Sequence, residues 1–427
     1  MKIKQILPLI LLLAGMFLLS GCAAVTEFLT TATPPAFVPT PTLEPTATPG
    51  TLGVDAPITL QIWLPPEFDP NADSAAAEIL QARLDEYSQL HPGVRVETRV
   101  KASSGPAGLI ESLSGADTAA PLALPDLVLL SSRNAEVAAD RGLIYPLQME
   151  LDFSPENDWY EFAEELAGGE TTWGIPFAAD GLVMVFRPSQ TENPPANWND
   201  FFESGQRLMF PAAEPQALLT TLLYLSEQEA ASSLAELNLE AASLEGVLQF
   251  YQQSQASNLM PYWLTQLDSD QSVWDAYLEN QTELAVTWMS RYLQQAPEHL
   301  SAAMIPTSSG VPFTLATGWI WSVTSPGTDR QAAAEDLALF LSEAGFSGSW
   351  TQAAGYLPAH PSGLTSWEAG PNQSLASIIL PAAFPAPNYS TQMTLGAAFQ
   401  PAVAAILKQE LDAAQAAEAI IAQLTND

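Results

Sequence analysis

The chain of 427 residues contains one cysteine, three histidines and 13 lysines and arginines, against 48 aspartates and glutamates. Each shortage excludes something. A lone cysteine cannot close a disulfide within the chain, so stability must come from burial. His91, His299 and His360 are scattered in loop or turn contexts, with no His-Glu-x-x-His, and support neither a zinc site nor a Ser-His-Asp triad. A formal net charge of −35 would repel phosphates, which argues against nucleic acid as a partner. No Gly-x-x-x-x-Gly-Lys-Ser/Thr loop occurs, so any ATP hydrolysis belongs to a partner. Asp268, Asp270, Ser272 and Glu279 match the 1, 3, 5 and 12 positions of a calcium loop, but Val273 replaces the glycine needed at position 6. Helix capping by Asp270 or Ser272 explains that run better, and no metal or cofactor is expected. Beyond the N-terminus, no apolar run approaches the roughly 20 residues of a bilayer span.

What is present begins at that N-terminus. Lys2 and Lys4 precede an apolar run over 6–19 and then Leu19-Ser20-Gly21-Cys22, the pattern of a secretory signal. The last four residues resemble the lipobox of bacterial lipoproteins. That resemblance implies removal of residues 1–21 and a lipid-modified Cys22 that tethers an extracytoplasmic protein to a membrane. The alternative is ordinary secretory cleavage near Ala24, which would discard Cys22. Residues 22–54 are rich in Thr and Pro and cannot form helix or a central strand. Extended polyproline geometry, at about 3.1 Å per residue, makes them a spacer. The chain as a whole is 47% hydrophobic, which suits a packed protein, and the length beyond this spacer suits two lobes.

From residue 58 the patterning is α/β. Alternation predicts strands over 58–64 and 94–100, separated by a helix that Ser74 can cap and His91-Pro92-Gly93 stops. A helix is expected near 107–113. Residues 126–130 read as a buried parallel strand, followed by a helix over 134–140. Later come helices over 216–229, 242–254 and 332–343, the last with Gly345 as a C-terminal cap residue, and strands over 285–288 and 317–324. Residues 400–424 read as helix with a break. Strands alternating with helices imply βαβ units and doubly wound sheets.

The residues now carry a family likeness. Ile58 to Trp63, Pro92-Gly93-Val94-Arg95-Val96, Pro125-Asp126-Leu127-Val128, Gly142-Leu143-Ile144-Tyr145-Pro146-Leu147, Trp173-Gly174-Ile175-Pro176-Phe177, Asn197-Trp198-Asn199-Asp200-Phe201 and Gly355-Tyr356-Leu357-Pro358 follow in order over most of the chain. Together they resemble the extracellular solute-binding proteins of ABC importers, in the branch that contains the maltose-binding protein. The resemblance implies a type II periplasmic-binding-protein fold, in which two lobes, each a mixed sheet flanked by helices, are joined by hinge crossovers. One lobe would take 55–178 plus 312–356 and the other 179–311 plus 357–427, with ligand in the cleft and closure by hinge bending. Two departures stand out: Arg187-Pro188 occupies a place where the family has Asn-Lys, and 225–243 is unusually rich in Ala, Glu and Ser.

Open α/β sheets bind ligands at the carboxyl ends of their strands, here after Trp63, Leu130 and Phe177. Sugar recognition needs flat aromatic faces and polar groups for hydroxyls. Trp63 and Glu67 end and follow the first strand, though a core Trp and a solvated Glu fit as well. Ser131, Ser132 and Arg133 follow a buried strand and suit hydroxyl or anion recognition, or equally a helix cap. Phe177 and Asp180 follow the Gly-Ile-Pro step; the resemblance gives Asp180 a sugar contact, and a hinge hydrogen bond is the alternative. The resemblance also points to Trp288, Arg291 and Tyr292, where an aromatic stacks on ligand. Alternation puts Trp319 and Trp321 on one face, with Trp319, beside Gly318, the better cleft candidate. Tyr356, Tyr389 and Phe399 are weaker candidates, since core packing explains each of them as well.

The leading expectation is a monomeric, non-catalytic binding lipoprotein that captures a small solute, a sugar or oligosaccharide before others, and delivers it to ABC permease transmembrane subunits. Alternatives keep the fold but change the ligand to a polyamine, peptide or phosphorylated polyol, or the role to a surface sensor or adhesin. A secreted glycosidase would need two carboxyls about 5–5.5 or 6.5–9.5 Å apart across a sugar.

Overall fold

A computed structural model describes residues 58–228, 239–325 and 328–426. The signal, Cys22 and the Thr/Pro-rich segment lie outside the described residues, as does the middle of the Ala/Glu/Ser-rich stretch. The chain opens as β1 (Ile58–Leu64), α1 (Ala75–Leu90) and β2 (Val94–Val100). The Ser74 hydroxyl accepts the Ala77 N–H at 3.2 Å and starts α1. Next come α2 (Leu109–Ala119), β3 (Leu127–Ser131), α3 (Ser132–Asp140), α4 (Phe162–Ala167) and β4 (Ile175–Phe186). β1 pairs in parallel with both β2 and β3, as βαβ units require.

The middle of the chain is richer in helix: α5 (Trp198–Ser204), β5 (Leu208–Met209), α6 (Leu218–Ser226), α7 (Ala241–Ala256), α8 (Asp270–Leu278), β6 (Leu284–Trp288), α9 (Met289–Gln295) and β7 (Ser301–Ala303). The last part holds β8 (Thr314–Val323), α10 (Thr328–Leu341), α11 (Ala344–Ala354), β9 (Leu357–Pro358), α12 (Pro361–Leu364), α13 (Pro371–Ile379), β10 (Ala383–Pro385), α14 (Tyr389–Leu407) and α15 (Ala413–Asn426).

Strand pairing runs β2-β1-β3-β8-β4-β6-β5. The sheet is mixed: β8 is antiparallel to both β3 and β4, and β4 is antiparallel to β6. β4 is the shared strand. Its first half pairs with β8 up to Gly181, and from Leu182 onward it pairs with β6, with β7 alongside. β4 and β8 come close because residue 318 is glycine. A Cβ there would meet the Ala178 carbonyl oxygen at 2.3 Å.

Period-two alternation distributes the core over both faces of the first strands. Leu60, Ile62 and Leu64, with Leu127 and Leu129, join Leu80, Leu84, Phe177, Trp321 and Trp350 in one cluster. Trp63, Val128 and Leu130 face the other way into a second cluster that also takes α6, α7, α14 and α15. Among the described residues no helix is long and apolar enough to cross a membrane.

Three local expectations need correction. Gly345 does not end α10; it lies in the first turn of α11, where the Glu343 carboxylate accepts its N–H at 2.9 Å and that of Phe346 at 3.0 Å. Two helices therefore meet where one was expected to stop in a loop. Ser269, not Asp270, caps α8 in a box closed by Ser272, leaving the Asp270 carboxylate free for other work. The C-terminal helix begins earlier than residue 400, at Tyr389, and its break falls at 408–412, where Gln409 takes a left-handed φ of 62°.

Candidate functional site

A cleft opens where β3 and β6 end and where β4 and β8 cross. Two adjoining cavities fill it, of about 270 Å³ and about 200 Å³, and they share Trp288 and Thr317 as a common wall. The first is bordered by Ser131, Asp180, Arg291, Trp319 and Tyr356 among others, and the second by Ser132, Arg133, Glu136, Gln216, Tyr389 and Gln392 among others. The strand ends therefore supply the cleft, as open α/β sheets require.

The serines after β3 do two things at once. Ser131 lines the first cavity while its hydroxyl accepts the Asn134 N–H at 3.3 Å and caps α3. Ser132 lines the second and shares a hydrogen bond of 2.8 Å with the Thr317 hydroxyl. From the next residue, the Arg133 guanidinium lies 3.8 Å from the centre of the Tyr389 ring, a cation–π contact. The Tyr389 N–H donates to Glu136 at 2.7 Å. Burial pushes the Glu136 carboxyl above its ordinary value, against the pull of that N–H.

The opposite wall is the elbow from β6 into α9. Trp288 ends the strand and Arg291 follows in the first turn of the helix. Arg291 donates its Nε–H to Asp270 and an Nη1–H to Gln271 at 2.8 Å, while Thr287 donates to the other Asp270 oxygen at 2.6 Å. Asp180, at the point where β4 changes partners, is 8% exposed. Its carboxylate accepts the N–H groups of Gly181 and Ser290, each at 2.9 Å, and the Ser290 hydroxyl. Burial raises its pKa to about 7 despite those donors.

Behind the cleft stands an aromatic stack. Trp319 and Tyr356 face the first cavity and pack on Phe68 at ring-centre distances of 4.8 and 5.5 Å. Phe68 in turn stacks on Trp350 at 5.1 Å.

Five candidates from the sequence do not line the cleft. Trp63, 3% exposed, turns into the core with the Lys101 ammonium 4.3 Å over its ring. Glu67 is exposed on the turn after β1 and accepts the Ser103 hydroxyl. Phe177 is wholly buried against Trp350, supporting the stack from behind. Tyr292 is buried, its hydroxyl donating to Asn372 at 3.1 Å. Phe399 is likewise core. Arg187, the departure from the family pattern, is buried away from the cleft, with its guanidinium donating to the Tyr277 and Thr282 carbonyls.

The sequence reading missed Glu136, Asp270, Ser290, Gln294 and Thr317. Thr317 had a usable signal, since alternation puts it on the face of Trp319. Glu136 lies three residues after Arg133 on a helix, so the two share a side. Among the described residues, no group of His, Cys, Asp or Glu is arranged to hold a metal ion.

A sequence model described as bacterial extracellular solute-binding protein matches residues 82–373, more than half of the chain. No curated protein matches in sequence. Among solved structures, a cyclic alpha-maltosyl-1,6-maltose binding protein from Arthrobacter globiformis is similar at a TM-score of 0.67 and 19% identity, covering 87% of this chain and 100% of that one. A cyclo/maltodextrin-binding protein complexed with maltotetraose gives 0.69 at 17% identity, covering 87% and 97%. The extracellular solute-binding protein from Staphylococcus aureus in complex with maltose gives 0.68 at 15%, covering 87% and 98%. At such identities the likeness to these structures is one of fold, that of the two-lobed maltose-binding proteins. With residues 82–373 matched to the family model, the chain belongs to the bacterial extracellular solute-binding proteins.

Proposed function

We propose that this protein is the substrate-binding lipoprotein of an ABC importer, which captures a carbohydrate in its cleft and passes it to a membrane permease without altering it. The observation that carries this reading is the makeup of the cleft. Indole and phenol faces at Trp288, Trp319, Tyr356 and Tyr389 stand beside polar groups at Ser131, Arg291, Gln294, Gln295 and Gln392. Flat apolar faces suit the C–H side of a pyranose, and fixed polar groups suit its hydroxyls. Proteins of the same fold bind maltose and maltotetraose.

The change of partner along β4 at Gly181 supports lobes of 55–178 plus 312–356 and of 179–311 plus 357–427, which would close on the solute. On the same reading Cys22 is lipid-modified, residues 22–54 are the spacer, and the protein acts as a monomer outside the cytoplasm. The test is thermal unfolding of the protein against maltose, maltotriose and maltotetraose, with polyamines and peptides alongside. A bound sugar should stabilise the fold by about 2.7 kcal/mol at one hundred times its dissociation constant. Trp288→Ala and Tyr389→Ala should each weaken that response. A shift with a polyamine and none with any sugar would replace the carbohydrate assignment.

A further inference from the structure

An aspartate at residue 180 invites a role in touching solute, yet its surroundings describe another task. Trp288 occupies the N-cap position of α9, and no side chain of that turn caps the helix. An indole offers no acceptor, so it cannot satisfy the first amides of the helix itself. The missing acceptor comes from a different strand. One Asp180 oxygen takes the Ser290 N–H, the second residue of α9, and the other takes the Ser290 hydroxyl. The first oxygen also takes the Gly181 N–H. Each oxygen thus has a donor within the protein, and although the residue borders the first cavity, little of its side chain reaches solvent.

The location adds a reason. Asp180 and Gly181 are the last residues of β4 paired with β8, opposite Thr317 and Ala316, and Leu182 is the first paired with β6, opposite Trp288. The carboxylate therefore pins the β6–α9 elbow to the strand common to both halves of the sheet. Trp288 and Arg291, which face the cleft from that elbow, inherit their placement from it.

We infer that Asp180 is a positioning residue: it caps α9 from β4, so that an aromatic residue can stand at the helix start and face the cleft, and it does so without contacting solute. This deepens the proposed function and rests on the cleft being the binding site.

The test uses the full chain as wild type, Asp180→Asn, Asp180→Ala, Ser290→Ala, Ser290→Thr and the Asp180→Ala/Ser290→Ala double variant. Hydrogen exchange of peptides covering 286–295 is followed without sugar, and maltotriose affinity is measured by calorimetry. Asp180→Ala and Ser290→Ala should each speed exchange in that segment. Each should weaken maltotriose by about tenfold, the loss of a hydrogen bond to a charged group. In the double variant the loss should equal that of Asp180→Ala alone, because Ser290→Ala removes only the hydroxyl bond, leaving the 290 N–H to the carboxylate, and Asp180→Ala removes both. Asparagine keeps an acceptor for the two N–H groups and threonine keeps the hydroxyl, so each should recover most of what alanine loses.

Unchanged exchange in both Asp180→Ala and Ser290→Ala would overturn the inference. So would an Asp180→Ala variant that weakens maltotriose without speeding exchange in 286–295, which would mark direct contact with sugar. If Asp180→Ala fails to fold, Ser290→Ala and its threonine rescue decide the point. If wild type ignores maltotriose, the carbohydrate assignment fails while the exchange measurements still decide the positioning role.

Discussion

Two carboxyls give this protein a pH dependence that can be traced to single residues. Glu214 sits in the loop before α6, with the Leu218 N–H 3.4 Å away as its hydrogen-bond donor, and burial pushes its pKa to about 7. Asp180 is raised to about 7 by the same cause. Unfolded, both groups titrate near 4. Between about pH 4 and 7 the folded state therefore holds protons that the unfolded state releases. Stability from these groups is fully present near pH 4, falls as pH rises through that window and levels off above it. Glu214→Gln keeps the shape and an acceptor but removes the charge. It should match wild type near pH 4 and exceed it by roughly 1–3 kcal/mol at pH 8, in urea unfolding followed across pH. An equal gain at both pH values would show that the charge at 214 costs nothing.

At the scale of elements, starts and crossings matter most. Ser74→Ala removes the cap of the sixteen-residue α1 and should cost about 1 kcal/mol in urea unfolding. Gly318→Ala should cost about 1–3 kcal/mol, because its new methyl would meet the Ala178 carbonyl oxygen and the Leu166 side chain, at 2.3 and 2.9 Å, where β4 and β8 cross. The first of these features was legible in the sequence and the second was not. Caps, alternation and Pro-Gly stops act within a few residues, so Ser74, the alternating strands and the buried run of β3 declared themselves. Long-range pairing leaves no such local mark. That β4 would be one twelve-residue strand divided between two partners could not be read from its residues, which are apolar on both sides of Asp180. The cleft shows the same division. Trp288, Arg291 and Trp319 stand out by type and position. Ser290, Gln294 and Glu136 are ordinary polar helix residues that become cleft residues only when distant elements arrive. Phe177 and Trp63 erred in the opposite direction: the strand expected to end at Phe177 runs on to Phe186, and an aromatic at or near a strand end, as Trp63 is, serves a core as readily as a cleft.

For the molecule as a whole, the dominant quantity is charge. Lys2 and Lys4 balance Glu27 and Glu44, so the net −35 belongs entirely to residues 55–427. Such an excess keeps a protein dispersed but strains the compact state through self-repulsion. The repulsion acts between exposed groups, which salt screens: the Debye length falls from about 30 Å at 0.01 M to about 8 Å at 0.15 M. The penalty on Asp180 and Glu214 comes instead from lost hydration in the interior, which salt hardly reaches. Both effects make the protein less stable as pH rises from 4 toward 7, so a pH titration alone would mix them. A titration in two salts separates them. Raising sodium chloride from about 10 to about 150 mM should raise the melting temperature at pH 8 and change it little near the pI of about 4.1. The slope that survives in salt should belong to the buried carboxyls and shrink in Glu214→Gln. A pH slope abolished by salt in the wild type would assign it wholly to the surface. A melting temperature at pH 8 that ignores salt would show that the negative charges are spaced widely enough to do no harm.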